Sequence, residues 1–125
     1  MTKSVLIADD HDRIRRALCE LFDSQNDFEV CGEAENGKEA VEMAEIFMPD
    51  LILLDLSMPV MNGIEAACEL KRLMPMVPII IFSDYGNVFS EGEARETGIS
   101  AVVSKDAKLS VLLDRARSVV YPMAA

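Results

Sequence analysis

The chain has 125 residues, half of them apolar, which is about one domain's worth and enough for a single hydrophobic core. Its 22 acidic and 12 basic residues give a net charge of −10, which argues against binding to a nucleic-acid backbone, because such binding needs clustered Lys and Arg. The short apolar run near the N-terminus is too brief for a signal peptide or a membrane span. We therefore expect one acidic, cytoplasmic domain over residues 1–125 that binds neither nucleic acid nor membranes.

Short apolar runs alternate with segments of helical period along the first half of the chain. Residues 5–8 predict a strand, and 14–22 place apolar side chains at helical spacing. Residues 28–34 alternate between apolar and polar, which predicts a strand with one solvated face at an edge of the sheet. The residues on its apolar side are Phe28, Val30, Gly32 and Ala34. An Asn-Gly pair at 36–37 begins a second helix that ends at Pro49.

The second half begins with a continuous apolar run at 51–54, typical of a strand buried on both faces in the middle of a parallel sheet. A loop over 57–63 is expected after it, followed by a third helix that runs to about Leu73. The later elements are a second doubly buried strand (77–82), a fourth helix (87–97), a short fifth strand (101–103) and a final helix (109–120). The fourth helix should be weak, because Gly92 in its interior costs roughly 1 kcal/mol relative to alanine. Gly98 is expected to end it.

Five strands alternating with five helices predict a doubly wound α/β fold, in which right-handed crossovers place helices on both faces of a parallel sheet. Ligands of such folds bind outside the carboxyl ends of the strands. The three cysteines, Cys19, Cys31 and Cys68, lack the spacing of a zinc site. We expect them to be small buried or half-buried residues in a reducing compartment.

Polar side chains stand at the carboxyl ends of four of the predicted strands: Asp9 and Asp10, then Asp55, Ser83 and Lys105. Two carboxylates about 4 Å apart repel by roughly 4 kcal/mol at an effective dielectric near 20, so one is protonated or a cation binds. Oxygen ligands suit a hard ion such as Mg²⁺. A metal, an ammonium and a hydroxyl together suit a phosphoryl group, and a carboxylate among them can be the nucleophile that forms an aspartyl phosphate.

The chain resembles the receiver domain of two-component response regulators, and its motifs are most similar to those in receivers of LuxR/FixJ-type transcription regulators. The resemblance covers Lys3 to about Val120 and implies a flavodoxin-like fold with strand order 2-1-3-4-5. Five separated elements match in order: Asp9-Asp10; Leu53-Leu54-Asp55-Leu56-Ser57-Met58-Pro59; Met61-Asn62-Gly63-Ile64-Glu65-Ala66; Ser83; and Lys105-Asp106-Ala107.

The resemblance implies a role for each matched polar residue. Asp55 would be the phospho-acceptor, Ser83 would sense the phosphoryl group and Lys105 would pair with it. The implied ligands of Mg²⁺ are Asp10, Asp55 and the backbone carbonyl of Ser57, with Asp9 reaching the ion through water. His11 is expected to be an ordinary loop residue.

The family also implies partners. The phosphodonor would be a histidine kinase, a phosphotransfer protein or a small molecule. Output would run through the face formed by the fourth helix, fifth strand and fifth helix, toward a partner, a homodimer or a DNA-binding domain outside this chain. No enzymatic activity is implied beyond the domain's own phosphoryl transfer and autodephosphorylation.

Three positions depart from the family pattern. Val102 stands where an aromatic residue usually moves inward together with the hydroxyl. Asp84 stands where a small residue usually follows the hydroxyl, and Asp106 replaces the proline that many members have after the lysine. An inward-facing Asp84 would oppose the approach of an anionic donor, whereas an outward one would be an ordinary loop residue; we favour the first.

Three other functions are weighed against this one. A flavin-binding module needs a Ser/Thr/Gly-rich loop after the first strand, where this chain carries acidic residues that repel phosphate. An aspartate-nucleophile phosphatase fits the short Asp10-His11-Asp12 pattern but leaves Asp55 without a role. A pseudo-receiver would keep the fold and act as a binding module without phosphorylation.

Overall fold

The computed structural model describes residues 2–84 and 96–121. Five parallel strands form one sheet in the order β2-β1-β3-β4-β5, so the predicted doubly wound fold and strand order are confirmed. The elements are β1 (Lys3–Ala8), α1 (Asp12–Asp23), β2 (Phe28–Ala34), α2 (Gly37–Phe47), β3 (Leu51–Leu54), α3 (Gly63–Leu73), β4 (Ile79–Ser83), β5 (Ala101–Ser104) and the last helix (Leu109–Val120).

Strands β3 and β4 are buried along their whole length, as their continuous apolar runs predict. Alternate residues of each strand face opposite layers. One layer packs Ile52, Leu54 and Ile81 against α2 and α3. The other packs Leu53 and Ile80 against α1 and the last helix. Helices therefore cover both faces of the sheet and leave its ends as the accessible places for polar groups.

Two asparagines begin the helices that flank the carboxyl end of the sheet. The side chain of Asn36 accepts a hydrogen bond from the Glu39 N–H, and Asn62 forms a reciprocal capping box with Glu65. A Cβ at Gly63 would collide with the carbonyl of Asp55. This position requires glycine because α3 begins against the end of β3.

Strand β2 lies at an edge of the sheet as predicted, but its predicted single apolar side is wrong. The register with β1 shifts between Val5 and Leu6, so that Val5 pairs with Val30 and Leu6 pairs with Gly32. Phe28 and Val30 consequently pack with α1 and the last helix, whereas Ala34 packs with α2 and α3. A bulge adds one residue to a two-residue period, so the side chains beyond it change faces.

The expected burial of the cysteines holds for two of the three. Cys19 is buried and Cys31 is half-buried, with its Sγ donating to the Val5 carbonyl at 3.5 Å. Cys68 is exposed, because the buried side of α3 is formed by Ala66, Ala67 and Leu70. The Cys68 position falls on the opposite side of that helix.

The weak fourth helix predicted over 87–97 lies for the most part outside the described residues, which exclude 85–95. Gly98 has a φ of 81°, a left-handed conformation that suits its predicted place at a helix end. In the described ranges, no helix is both long enough and apolar enough to span a membrane.

Candidate functional site

The carboxyl ends of the strands place the predicted polar residues at one rim of the sheet. Backbone hydrogen bonds extend the ladders past the strand ends: the Asp9 N–H donates to Ala34 at 3.0 Å, and the Asp55 N–H donates to Ala8 at 2.9 Å. The Lys105 N–H donates to the Ser83 carbonyl at 2.9 Å. These bonds fix the starting points of the side chains.

Asp9, Asp55 and Lys105 form a buried charged cluster. The Lys105 Nζ lies 3.0 Å from Asp9 Oδ2 and 3.3 Å from Asp55 Oδ1, and its side chain is only 6% exposed. Lys105 is therefore ion-paired with both acids, whereas the buried Asp55 Oδ2 has no hydrogen-bond partner among the described residues. A buried polar atom is rarely left in this state, and a ligand that binds here would satisfy it.

The electrostatics of the cluster depend on the two carboxylates and their shared ammonium. Burial and the neighbouring Asp9 raise the pKa of Asp55 to about 6, while Lys105 and the Ser57 backbone N–H oppose that rise. Burial acts to lower the pKa of Lys105, but Asp9 and Asp55 outweigh it and raise that pKa. The ammonium of Lys105 is therefore shared by the carboxylates of Asp9 and Asp55, and the site still favours additional positive charge.

Asp10 and His11 complete the acidic side of the site. Asp9, Asp10, His11 and Asp55 each offer one ligand atom, and these atoms lie within 4.8 Å of one another. The three carboxylates and the unpartnered Asp55 Oδ2 fit a hard divalent cation such as Mg²⁺. The residues at this rim therefore fit the metal that the sequence predicts.

His11 is more than the ordinary loop residue expected from the sequence. Its Nδ1 lies 3.1 Å from Asp9 Oδ1 and 3.2 Å from Asp10 Oδ1, and its backbone N–H donates to Asp9 Oδ1 at 2.8 Å. The turn after β1 brings the imidazole back over the two acids. Its position directly after the acidic pair is the sequence signal for this contact.

The remaining predicted residues lie on β4, on β5 and in the segments that follow β3 and β4. Ser83 is buried at the end of β4, and Ser57 is exposed two residues after Asp55. Val102 is half-buried in β5 and packs with the layer under α2 and α3. Asp84 is exposed and lines a cavity of about 260 Å³. The cavity is also lined by Ile14, Ala17, Leu18, Phe82, Lys105 and Leu109.

Proteins similar in sequence to this chain include a response regulator and a protein-glutamate methylesterase/protein-glutamine glutaminase. The chain is 32% identical over 117 residues to the response regulator protein VraR of Staphylococcus aureus, covering 94% of this chain and 56% of VraR. It is 48% identical over 83 residues to a protein-glutamate methylesterase/protein-glutamine glutaminase of Hahella chejuensis, covering 66% of this chain and 21% of that protein. The chain thus spans less than two thirds of either relative.

Solved structures match the whole fold. The response regulator domain of Thermotoga maritima CheB superimposes with a TM-score of 0.89 at 30% identity, covering 99% of this chain and 100% of that one. A LuxR-family two-component response regulator from Aurantimonas gives a TM-score of 0.89 at 26% identity, covering 96% and 86%. The family model of the response regulator receiver domain matches residues 5–117. With the acidic rim and its lysine at the strand ends, the chain belongs to the response regulator receiver domain family of two-component systems.

Proposed function

We propose that Asp55 accepts a phosphoryl group from a histidine kinase, a phosphotransfer protein or a small phosphodonor, in a Mg²⁺-dependent reaction in the cytoplasm. The observation that carries this proposal is the buried Asp55 carboxylate, 4% exposed, with an unpartnered Oδ2 and with Lys105 Nζ at 3.3 Å. A pKa of about 6 leaves this carboxylate mainly ionised at pH 7, as a nucleophile must be.

The chemistry follows from the residues at the rim. An Asp55 oxygen attacks the phosphorus atom while the bond from phosphorus to the donor breaks, and the leaving group takes up a proton. Lys105 then pairs with the phosphoryl oxygens, and Ser83 donates a hydrogen bond to them. Asp10, Asp55 and the Ser57 carbonyl would hold Mg²⁺, with Asp9 acting through water; the bound ion would neutralise charge on the phosphoryl oxygens.

We infer that the phosphorylated domain signals to a partner or an output domain, in transcription control as in LuxR-type relatives. Val102 is too small to act as the aromatic switch residue of the family, so the response to phosphorylation would pass through the Ser83 and Lys105 strand ends instead. The fourth helix of the expected output and homodimer face lies mostly outside the described residues. A C-terminal DNA-binding domain outside this chain would provide the output.

The test is exposure to acetyl phosphate with and without Mg²⁺, followed by intact mass measurement. We expect one phosphoryl adduct that requires Mg²⁺, is cleaved by hydroxylamine and is absent from Asp55→Asn. Asp10→Asn should need much more Mg²⁺ for the same labelling, and Lys105→Ala should be labelled but lose the conformational change, read by NMR. A hydroxylamine-resistant phosphate on Ser57 or Ser83 that persists in Asp55→Asn would contradict the proposal.

A phosphorylation-independent binding module is the second candidate, favoured by Asp84, which lines the same cavity as Lys105, and by Val102 in place of an aromatic residue. A folded wild-type protein that binds Mg²⁺ but takes up no phosphoryl group would support it. We further propose that the domain turns over no substrate beyond its own phosphate. Sustained hydrolysis of para-nitrophenyl phosphate would instead support the aspartate-nucleophile phosphatase.

A further inference from the structure

Arg15 links the acidic loop after β1 to the edge of the sheet. It lies in the first turns of α1, where long side chains point back toward the helix N-terminus. Its side chain is only 12% exposed. Nη1 donates to the Asp9 carbonyl at 2.8 Å and Nη2 donates to Asp12 Oδ1 at 2.8 Å. Nε donates to Glu33 Oε1 at 3.1 Å, at the carboxyl end of β2.

These contacts act on the peptide that carries Asp10 into the site. The Asp9 carbonyl belongs to the rigid peptide plane that ends at the Cα of Asp10. The Asp9 N–H is already held by Ala34 at 3.0 Å. Arg15 therefore fixes the carbonyl of Asp9, whose N–H is fixed by Ala34, and so sets the direction in which the Asp10 side chain leaves the backbone.

The carboxylates that Arg15 contacts are not the expected metal ligands. Its ion pairs are with Asp12, Glu33 and Glu35, at 2.8, 3.1 and 3.6 Å. Within the part of the chain that the structure describes, its one hydrogen bond to a residue of the metal cluster is to the backbone carbonyl of Asp9. The guanidinium of Arg15 is thus paired with acids outside the metal cluster, while it donates a hydrogen bond to a backbone carbonyl of the cluster.

We propose that Arg15 is a positioning residue for Mg²⁺ binding, holding the peptide between Asp9 and Asp10 so that both carboxylates face the ion. This inference rests on the proposed Mg²⁺ site. Residues that orient metal ligands typically contribute about 10- to 100-fold to affinity. A purely electrostatic role would have the opposite sign, because removing a nearby positive charge from an acidic site strengthens cation binding.

The experiment measures Mg²⁺ affinity by NMR titration of the apo protein. We expect Arg15→Gln to weaken Mg²⁺ binding by about tenfold or more, and Arg15→Lys to weaken it too, because an ammonium cannot reproduce the forked contacts. Arg16→Gln is the matched control: it removes the same charge from the next residue of α1, which is exposed and makes no ion pair with any described residue. It should bind Mg²⁺ as the wild type does or slightly more tightly.

Two further measurements separate positioning from loss of folding. Urea unfolding in EDTA checks that each variant is folded at the titration conditions. Labelling of Arg15→Gln by acetyl phosphate should approach the wild-type rate when Mg²⁺ is raised tenfold or more, as expected of an affinity defect.

The outcomes distinguish this inference from the proposed function. A wild type that binds Mg²⁺ and is labelled, alongside a folded Arg15→Gln of equal or higher affinity, would overturn the role of Arg15 alone. Arg16→Gln losing affinity as much as Arg15→Gln would also overturn it, since the effect would then come from charge on α1. A wild type that neither binds Mg²⁺ nor is labelled would overturn both.

Discussion

The charge on Asp55 should destabilise the metal-free protein at neutral pH. In the folded state the pKa of Asp55 is raised from an ordinary 3.8 to about 6, chiefly by burial and then by Asp9. The native state therefore holds this proton more tightly than the unfolded chain does. The contribution of Asp55 to the free energy of unfolding is accordingly lost as the pH rises from about 4 to 6, and stays constant above that range.

The magnitude follows from the size of the shift. Each pKa unit corresponds to about 1.36 kcal/mol, so the penalty is on the order of 3 kcal/mol at pH 7.5 and about 1 kcal/mol at pH 4.5. Asp55→Asn removes the charge with little change of shape and leaves Lys105 paired with Asp9 at 3.0 Å. We expect this variant to be more stable than the wild type in EDTA by these amounts.

The assay is urea unfolding followed by circular dichroism at the two pH values. For a urea m-value of about 2 kcal/mol per M, the gap at pH 7.5 is a midpoint increase of about 1.5 M. Mg²⁺ at about 100 times its Kd should stabilise the wild type by about 2.7 kcal/mol and nearly close the gap. Asp114→Asn, at an exposed position of the last helix, is the control for removing an acid. A variant less stable than the wild type at pH 7.5, or a gap that ignores pH, would refute the reasoning.

Three further predictions concern the surroundings of the site. Asp84→Ala should speed labelling by acetyl phosphate about two- to fivefold at matched Mg²⁺ and ionic strength, because relief of like-charge repulsion at an exposed position is worth about 0.5–1 kcal/mol. An equal or slower rate would mean that Asp84 is an ordinary loop residue. Leu112→Ala should lower the free energy of unfolding by roughly 2–5 kcal/mol, since Leu112 is fully buried between the last helix and the sheet, and a urea measurement showing a loss below about 1 kcal/mol would mean that this helix is peripheral. Val60→Gly should raise the free energy of unfolding by about 1 kcal/mol. Val60 is exposed with a φ of 70°, and a β-branched residue in this left-handed region costs about 1–3 kcal/mol, part of which is offset by the greater backbone entropy of unfolded glycine. A destabilised variant in the same assay would show that this backbone is not strained.

Local patterns in the sequence determine the fold and most of the site. The apolar run 51–54 identifies a central strand because a strand covered on both faces has no polar side, and the alternation at 28–34 identifies an edge. Once the strands are parallel, their carboxyl ends meet at one rim. The closeness of Asp9, Asp55 and Lys105 then follows from where each strand ends.

Tertiary structure alone decided the features that depend on register and on contacts between distant segments. The register shift between Val5 and Leu6 moves Ala34 to the other face of the sheet. The alternation of apolar and polar residues in β2 does not show where that shift occurs. Arg15 reads as one more charged residue of an amphipathic helix until β2 brings Glu33 beside it. Periodicity records which side of an element is buried, because that depends on the element itself. It does not record which polar atoms from different elements meet, since that depends on how the sheet and helices pack around them.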